Sequence, residues 1–167
     1  MRFSEYEAWL AAEVANAPLE PDSVQIGPFL TPTVVPDKPP WQMEWTVLFA
    51  DGHYFRVVEN WFRRSSSFGG YGCRRAFSFH YGPTNTAKDN DGVPLPSNKF
   101  PAIIRIDQDV DWRGPHLHYN GEDHVQQSRV QNLRISDVEP LQFVRAVMEH
   151  RRTHQDFDQI LHFTVTK

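Results

Sequence analysis

The sequence predicts a single α+β domain, in which an N-terminal helix and a C-terminal helix pack on an antiparallel sheet of about five strands. Three observations favour this class. The chain has 167 residues, of which 40% are apolar and 13% aromatic, enough for one buried core. Runs of β-branched and aromatic residues flank Asp51-Gly52, a hairpin signal. Apolar residues at helical spacing occur near both ends of the chain.

Residues 1–17 are predicted to form the N-terminal helix. Ser4 and Glu7 have the spacing of a capping box, in which each side chain bonds the other residue's backbone N–H. Apolar residues then follow on one helical face: Tyr6, Trp9, Leu10 and Val14. Because proline cannot continue the hydrogen-bond ladder, we expect the helix to end before Pro18.

Residues 18–40 form a proline-rich segment that predicts an extended arm. The arm carries Val24, Ile26, Phe29, Leu30 and Val34, which we expect to bury apolar surface against the rest of the chain. No domain boundary is needed there. Residues 41–167 are therefore predicted to form the sheet-and-helix core of the same domain.

The segment from Glu44 to Val58 is predicted to form a hairpin with a tight type I′ turn at Asp51-Gly52. This turn would place Phe49 on the same face as Tyr54. By the same register, Val47 would share a face with Arg56, and Leu48 with Phe55. Both faces of the hairpin would then be largely apolar.

Further strands are predicted downstream of the hairpin. The third runs from Arg74 to Tyr81, the fourth from Phe100 to Asp107, and a fifth begins at His116 and reaches Tyr119. The C-terminal helix is predicted to start near Ser136-Asp137-Val138-Glu139-Pro140, where Ser136 or Asp137 can cap it and Pro140 is tolerated in the first turn. Its apolar stripe comprises Leu141, Val144, Val147 and Met148. The tail from Gln159 to Thr166 is predicted as a further edge strand.

The charge, the cysteine content and the lengths of the apolar runs argue against several classes of protein. The formal net charge is -4, so binding to nucleic acid would need a local basic patch. The single cysteine, Cys73, cannot form an intrachain disulfide, and we find neither a secretory signal nor an apolar run of membrane-spanning length. We therefore expect a soluble, cytoplasmic protein without membrane contact.

Polar residues concentrate on the fourth and fifth predicted strands. Arg105 and Asp107 share one face of their strand, and His116 and His118 share one face of theirs. The two pairs would meet if these strands are neighbours. His80, near the end of the third strand, is placed to reach the same area.

Three interpretations of these residues remain open from the pattern. In the first, two imidazoles act as acid and base on an RNA phosphodiester and arginine stabilises the phosphate charge, with no cofactor. In the second, His116, His118 and His124 bind a metal ion in a hydrolase, with Asp107 or Asp123 completing the shell. In the third, the histidines are structural, and the protein is a non-catalytic binding or inhibitor module.

The order of these segments resembles a known family. A hairpin ending in Tyr54-Phe55-Arg56 precedes a strand ending in His80-Tyr81, then Arg105-Ile106-Asp107, then Pro115-His116-Leu117-His118. This order is similar to that of the TumE-type toxins of bacterial toxin–antitoxin systems, over roughly residues 41–148. Here residues 108–114 separate the aspartate from the histidines, which follow it directly in the family pattern.

The resemblance implies a growth-inhibiting toxin that acts as a ribonuclease and is neutralised by a cognate antitoxin protein. Five residues match the family motifs and become the expected catalytic residues: His80, Arg105, Asp107, His116 and His118. A second set is expected to contact the RNA substrate, with aromatic rings stacking on unpaired bases: Arg75, Tyr81, Trp112, Tyr119 and His124.

Overall fold

A computed structural model describes residues 3–32, 41–63, 72–84, 102–108 and 114–166. It confirms an α+β fold with a helix near each end and an antiparallel sheet, but the sheet has seven strands rather than five. Each strand pairs with the next one along the chain. The strands are β1 (Val24–Pro32), β2 (Trp41–Leu48), β3 (His53–Arg63), β4 (Gly72–Pro83), β5 (Ile104–Gln108), β6 (Pro115–Tyr119) and β7 (Glu122–Gln126).

The two additional strands lie at the two edges of the sheet. β1 is formed by the proline-rich arm and pairs with β2, with a register irregularity between Ile26 and Phe29. Pro28 lies within that irregularity, and prolines are tolerated at bulges and on edge strands because no ladder hydrogen bond is lost there. β7 follows β6 after a turn at Asn120-Gly121. Asn-Gly is a strong hairpin signal, so β7 was predictable in principle.

The two faces of the sheet have different characters. The core face carries buried apolar side chains from β2 to β7, among them Trp45, Val57, Phe79, Ile106, Leu117 and Val125. The polar face carries the alternate residues, among them Arg56, His80, Arg105, Asp107, His116 and His118. This division follows from the alternation of side chains along each strand.

The N-terminal helix α1 (Phe3–Ala15) packs on the core face. Tyr6 lies against Trp61, with ring centroids 4.6 Å apart, and donates a 2.5 Å hydrogen bond to the buried carboxylate of Glu59. The predicted helix is confirmed, but it begins at Phe3, so Ser4 lies within its first turn rather than before it.

The C-terminal helix α2 (Pro140–Thr153) covers the same face with the predicted apolar stripe, and Phe143 packs against Phe79 at 5.6 Å between ring centroids. Pro140 lies in the first turn of this helix, as predicted. The predicted cap was wrong, because Ser136 and Asp137 belong to a separate 3-10 turn, Ile135–Asp137, and Glu139 is the N-cap residue. Proline suits the first helical position because the N–H it lacks would have no helical partner there.

The hairpin between β2 and β3 is confirmed, but its predicted register was wrong by one residue. Val47 pairs with Phe55, and both are buried on the core face. The loop contains one more residue than the predicted turn, and Gly52 has a φ of 81°, as in a turn followed by a glycine bulge. Because a slip of one residue exchanges the faces, Val47 and Arg56 lie on opposite sides of the sheet.

The same slip separates the other predicted pairs. Phe49 packs against Phe55 and Tyr81, whereas Tyr54 lies on the polar face. Three residues of the arm also differ from expectation, because Val24, Ile26 and Phe29 are mainly exposed, at 58%, 44% and 57%. Of the other two residues, Leu30 packs against the core as predicted, and Val34 lies outside the described residues. The arm is extended as predicted from Val24 to Pro32, after a turn at Pro21-Asp22.

The C-terminal tail differs from the predicted edge strand. Phe157–Ile160 forms a short helix, α3, and only Thr164–Val165 is extended. That short strand, β9, pairs with β8 (Val130–Gln131) in a separate small sheet. Within the described ranges, the structure holds no helix with the length and apolarity needed to cross a membrane.

Candidate active site on the polar face

Strand pairing brings the predicted catalytic residues together. In the β5–β6 ladder, Arg105 is directly opposite His118, and Asp107 is directly opposite His116. All four side chains lie on the polar face. In the β4–β5 ladder, His80 is directly opposite Arg105, so the row His80, Arg105, His118 crosses three neighbouring strands.

Asp107 is the centre of this arrangement. Its Oδ2 atom forms an ion pair with Arg105, at 2.5 Å from the Nε atom. The same oxygen lies 3.6 Å from His116 Nε2 and 3.6 Å from His118 Nε2. Asp107 is 2% exposed, so its carboxylate is shielded from solvent. It lies beside one guanidinium and two imidazoles.

A bulge in β7 adds His124 to these residues. Tyr119 pairs with Glu122 next to the Asn-Gly turn, but Leu117 pairs with Val125, so β7 holds an extra residue opposite His118. A regular continuation from the turn would place His124 opposite Leu117 on the core face. The bulge instead puts Val125 in the core and leaves His124 beside His118.

The three imidazoles of His116, His118 and His124, called here the histidine cluster, are in mutual contact. Their ring centroids are separated by 5.2 Å (His116 to His118), 5.2 Å (His116 to His124) and 4.6 Å (His118 to His124). His124 has a φ of 57°, a left-handed conformation that is uncommon for a residue with a side chain.

His80 contacts a residue that sequence reasoning did not select. The hydroxyl of Tyr54 lies 3.2 Å from His80 Nε2, and both side chains are buried. Burial raises the pKa of Tyr54 to about 12, although the positive charges of Arg56 and Arg105 act in the opposite direction. Tyr54 is therefore a neutral hydroxyl at physiological pH. The one-residue error in the hairpin register concealed its position, because that register grouped it with Phe49.

A ligand can approach these residues from one side. His116 and Asp107 are buried, His118 is half-buried, and His124 is exposed. The Arg105 side chain retains 31% exposure. Solvent therefore reaches the guanidinium and two of the imidazoles, while the carboxylate lies beneath them. This layering leaves nitrogen groups of Arg105, His118 and His124, rather than the carboxylate, open to a ligand.

Two of the predicted substrate-contacting residues lie on the wrong face. Tyr81 packs among the core residues Phe49 and Phe157, and its hydroxyl accepts a hydrogen bond from Arg151. Tyr119 packs against Phe163, also on the core face. Tyr81 follows His80 directly, and Tyr119 follows His118 directly. Because adjacent residues of a strand point to opposite faces, both tyrosines face the core when these histidines face the polar side. Tyr81 and Tyr119 are therefore excluded from the site.

Of the other three residues predicted to contact the substrate, one lies in the site and two have side chains outside the described part of the structure. His124 joins the site through the β7 bulge. Arg75 belongs to β4 by its backbone, but its side chain lies outside the described part of the structure. Trp112 also lies outside the described residues.

The fold and the site together define a class: an antiparallel sheet with helices on one face and a site of imidazoles, guanidinium and carboxylate on the other. Neither a family model, nor a curated protein, nor a solved structure matches the chain.

Proposed function

We propose that this chain is a growth-inhibiting toxin of the TumE type that cleaves RNA at the polar-face site in the cytoplasm and is neutralised by a cognate antitoxin protein. The observation that supports it is the convergence of Arg105, His116 and His118 on the buried carboxylate of Asp107. Groups suited to acid, base and phosphate-binding roles thus surround one carboxylate.

The residue roles follow from RNA chemistry. One imidazole takes the proton of the 2′-hydroxyl as its oxygen attacks the adjacent phosphorus, and another donates a proton to the departing 5′-oxygen. This pair is assigned to His116 and His118, and Asp107, whose Oδ2 lies 3.6 Å from Nε2 of each ring, is assigned to orienting them. Arg105 stabilises the negative charge that accumulates on the phosphate. Since guanidinium offers five donors, pairing Nε with Asp107 is compatible with phosphate binding by the terminal nitrogens.

His80 is assigned a positioning role rather than contact with RNA. His80 is 6% exposed, and its ring lies against the Tyr54 hydroxyl. It is also directly opposite Arg105 in the β4–β5 ladder, where cross-strand neighbours on one face lie close together. Its replacement is expected to weaken phosphate binding more than proton transfer.

The experiment is RNA cleavage by the purified full chain in EDTA, with single-stranded RNA and a matched RNA carrying 2′-O-methyl groups. We expect cleavage of the first and none of the second, because the methylated oxygen cannot attack phosphorus. Arg105→Ala and His118→Ala should each reduce the rate by about 100-fold or more. His162→Ala, an exposed histidine outside the site, is the control. Intact RNA after incubation with folded wild-type protein would refute the proposal.

A further inference from the structure

The histidine cluster has a property that acid–base chemistry does not require. His116, His118 and His124 each offer a nitrogen atom, and these atoms all lie within 4.8 Å of one another. Acid–base cleavage needs two imidazoles, yet the β7 bulge brings a third to the same point. We infer that the cluster binds a divalent transition metal ion of the Zn²⁺ class.

The distances from two imidazole nitrogens to the Asp107 carboxylate are close to those between ligands of one shared metal ion. Ligands about 2.0–2.1 Å from a tetrahedral zinc ion lie roughly 3.4 Å from one another. His116 Nε2 and His118 Nε2 are each 3.6 Å from Asp107 Oδ2, which is close to that separation. These two nitrogens are therefore spaced from the carboxylate oxygen nearly as two ligands of one ion would be. The buried negative charge of Asp107 favours a cation there.

The second ring nitrogen of His116 also has the partner that metal-binding histidines usually have. His116 Nδ1 lies 3.2 Å from the carbonyl oxygen of Gly114. A carbonyl only accepts, so Nδ1 must carry the proton and donate it. In the neutral ring the lone pair is then on Nε2, which faces Asp107. The backbone thus selects the tautomer that a metal ion needs.

His124 is the residue that distinguishes a metal site from an acid–base pair. It is exposed, it is held in a left-handed conformation, and its ring contacts both other imidazoles. Imidazole is a good ligand for zinc, copper and nickel, and histidine triads form open zinc sites in which a further position accepts water or substrate. The exposed side of the cluster leaves room for that position.

Zinc binding would change the chemistry proposed above. While an ion holds their Nε2 atoms, His116 and His118 cannot exchange protons with RNA, so the loaded protein is expected to lose metal-free cleavage. This consequence rests on the proposed function, whereas the metal site does not. Zinc would then act as a reversible inhibitor at the same residues.

The test is calorimetric titration of the EDTA-treated and dialysed full chain with zinc chloride. We expect a single Zn²⁺ per chain, and His124→Asn should weaken binding by about ten-fold or more. Asparagine accepts the left-handed backbone, so the fold should persist. The matched control is His162→Asn, because His162 is also exposed and has a φ of 56°. A wild type that fails to bind zinc at micromolar concentration, or a His124→Asn variant that binds as tightly as wild type, would overturn the metal site.

Two further measurements keep the two proposals apart. Co²⁺ added to the wild-type protein should give the visible absorption of a nitrogen-ligated ion of low coordination number, and its absence would count against the site without any variant. RNA cleavage in EDTA should fall when zinc is added in excess. Cleavage that instead requires zinc would refute the metal-free mechanism and support the ion site. Unchanged cleavage without zinc binding would refute the ion site and leave the proposed function standing.

Discussion

His124 lies beside His118 on the polar face, with ring centroids 4.6 Å apart, because β7 carries an extra residue opposite His118. The same bulge places Val125 in the core. One irregularity in β7 therefore both buries an apolar side chain and completes the histidine cluster. The left-handed φ of 57° at His124 is the conformational cost of this arrangement.

Replacing His124 with asparagine should leave the free energy of unfolding within about 0.5 kcal/mol of wild type. The ring is exposed, and asparagine tolerates the left-handed region better than most residues. Urea denaturation monitored by tryptophan fluorescence measures this. A loss of more than about 1 kcal/mol would mean that the ring has a structural role in the sheet.

Replacing Arg105 should relieve growth inhibition when the chain is expressed without its antitoxin. Arg105→Ala removes the phosphate-binding group, and Arg105→Lys keeps the charge but loses the bidentate fork, so we expect full relief and partial relief respectively. The readout is colony formation after induction, with protein levels compared by blot.

Arg145→Ala is the control for that experiment, since Arg145 is an exposed residue of α2. It should remain as inhibitory as wild type. Full inhibition by a folded Arg105→Ala protein would exclude the polar-face site as the source of toxicity.

Removing the Tyr6 hydroxyl should destabilise the docking of α1. Tyr6 donates to Glu59, a carboxylate that is 0% exposed, and hydrogen bonds to charged groups contribute about 1.5–3 kcal/mol. Tyr6→Phe keeps the ring contact with Trp61. We expect a lower urea midpoint with an unchanged m-value, whereas an unchanged midpoint would show that the hydroxyl contributes nothing.

Arg151 joins α2 to the β2–β3 loop and to the segment after α1. Its side chain is 10% exposed, pairs with Glu20 and Asp51, and lies 3.8 Å over the ring of Phe49. Arg151→Met keeps the apolar stem and should cost about 1–3 kcal/mol at neutral pH through lost charged hydrogen bonds. Arg145→Met on the same helix should cost much less, because that arginine is exposed.

The cost of Arg151→Met should decrease in acid. Burial tends to raise the pKa of Asp51, but hydrogen bonds from Arg151 and from the His53 backbone outweigh it and hold the pKa below 3.8. A lowered folded pKa stabilises the protein above pH 3.8, and that contribution disappears as pH falls through the folded pKa. Urea midpoints of wild type and variant should therefore converge below pH 3.8. A constant difference would contradict the role of Asp51.

Gly52→Ala should destabilise the β2–β3 hairpin by about 1–2 kcal/mol, because Gly52 has a φ of 81°. Thermal melting followed by circular dichroism measures this. Gly52→Asn should cost less than alanine, since asparagine is better tolerated at positive φ. Equal stability of the alanine variant would mean that the loop adopts another conformation in solution.

The sequence by itself determined which residues share a face of one strand. Arg105 with Asp107, and His116 with His118, follow from side-chain alternation, which is a local property of extended chain. The same rule applied to adjacent residues would have removed Tyr81, since it follows His80 directly and must face the core. The apolar stripe of α2 was likewise local and was predicted.

Only the tertiary structure decided the registers between strands. The β2–β3 hairpin gained one loop residue because burial of Val47 and Phe55 together favours that register over a tight turn at Asp51-Gly52. The same competition placed His124 in the site, because Val125 fills the core only if β7 bulges. Register depends on which side chains a whole sheet and its helices bury together, so a local pattern could not determine it.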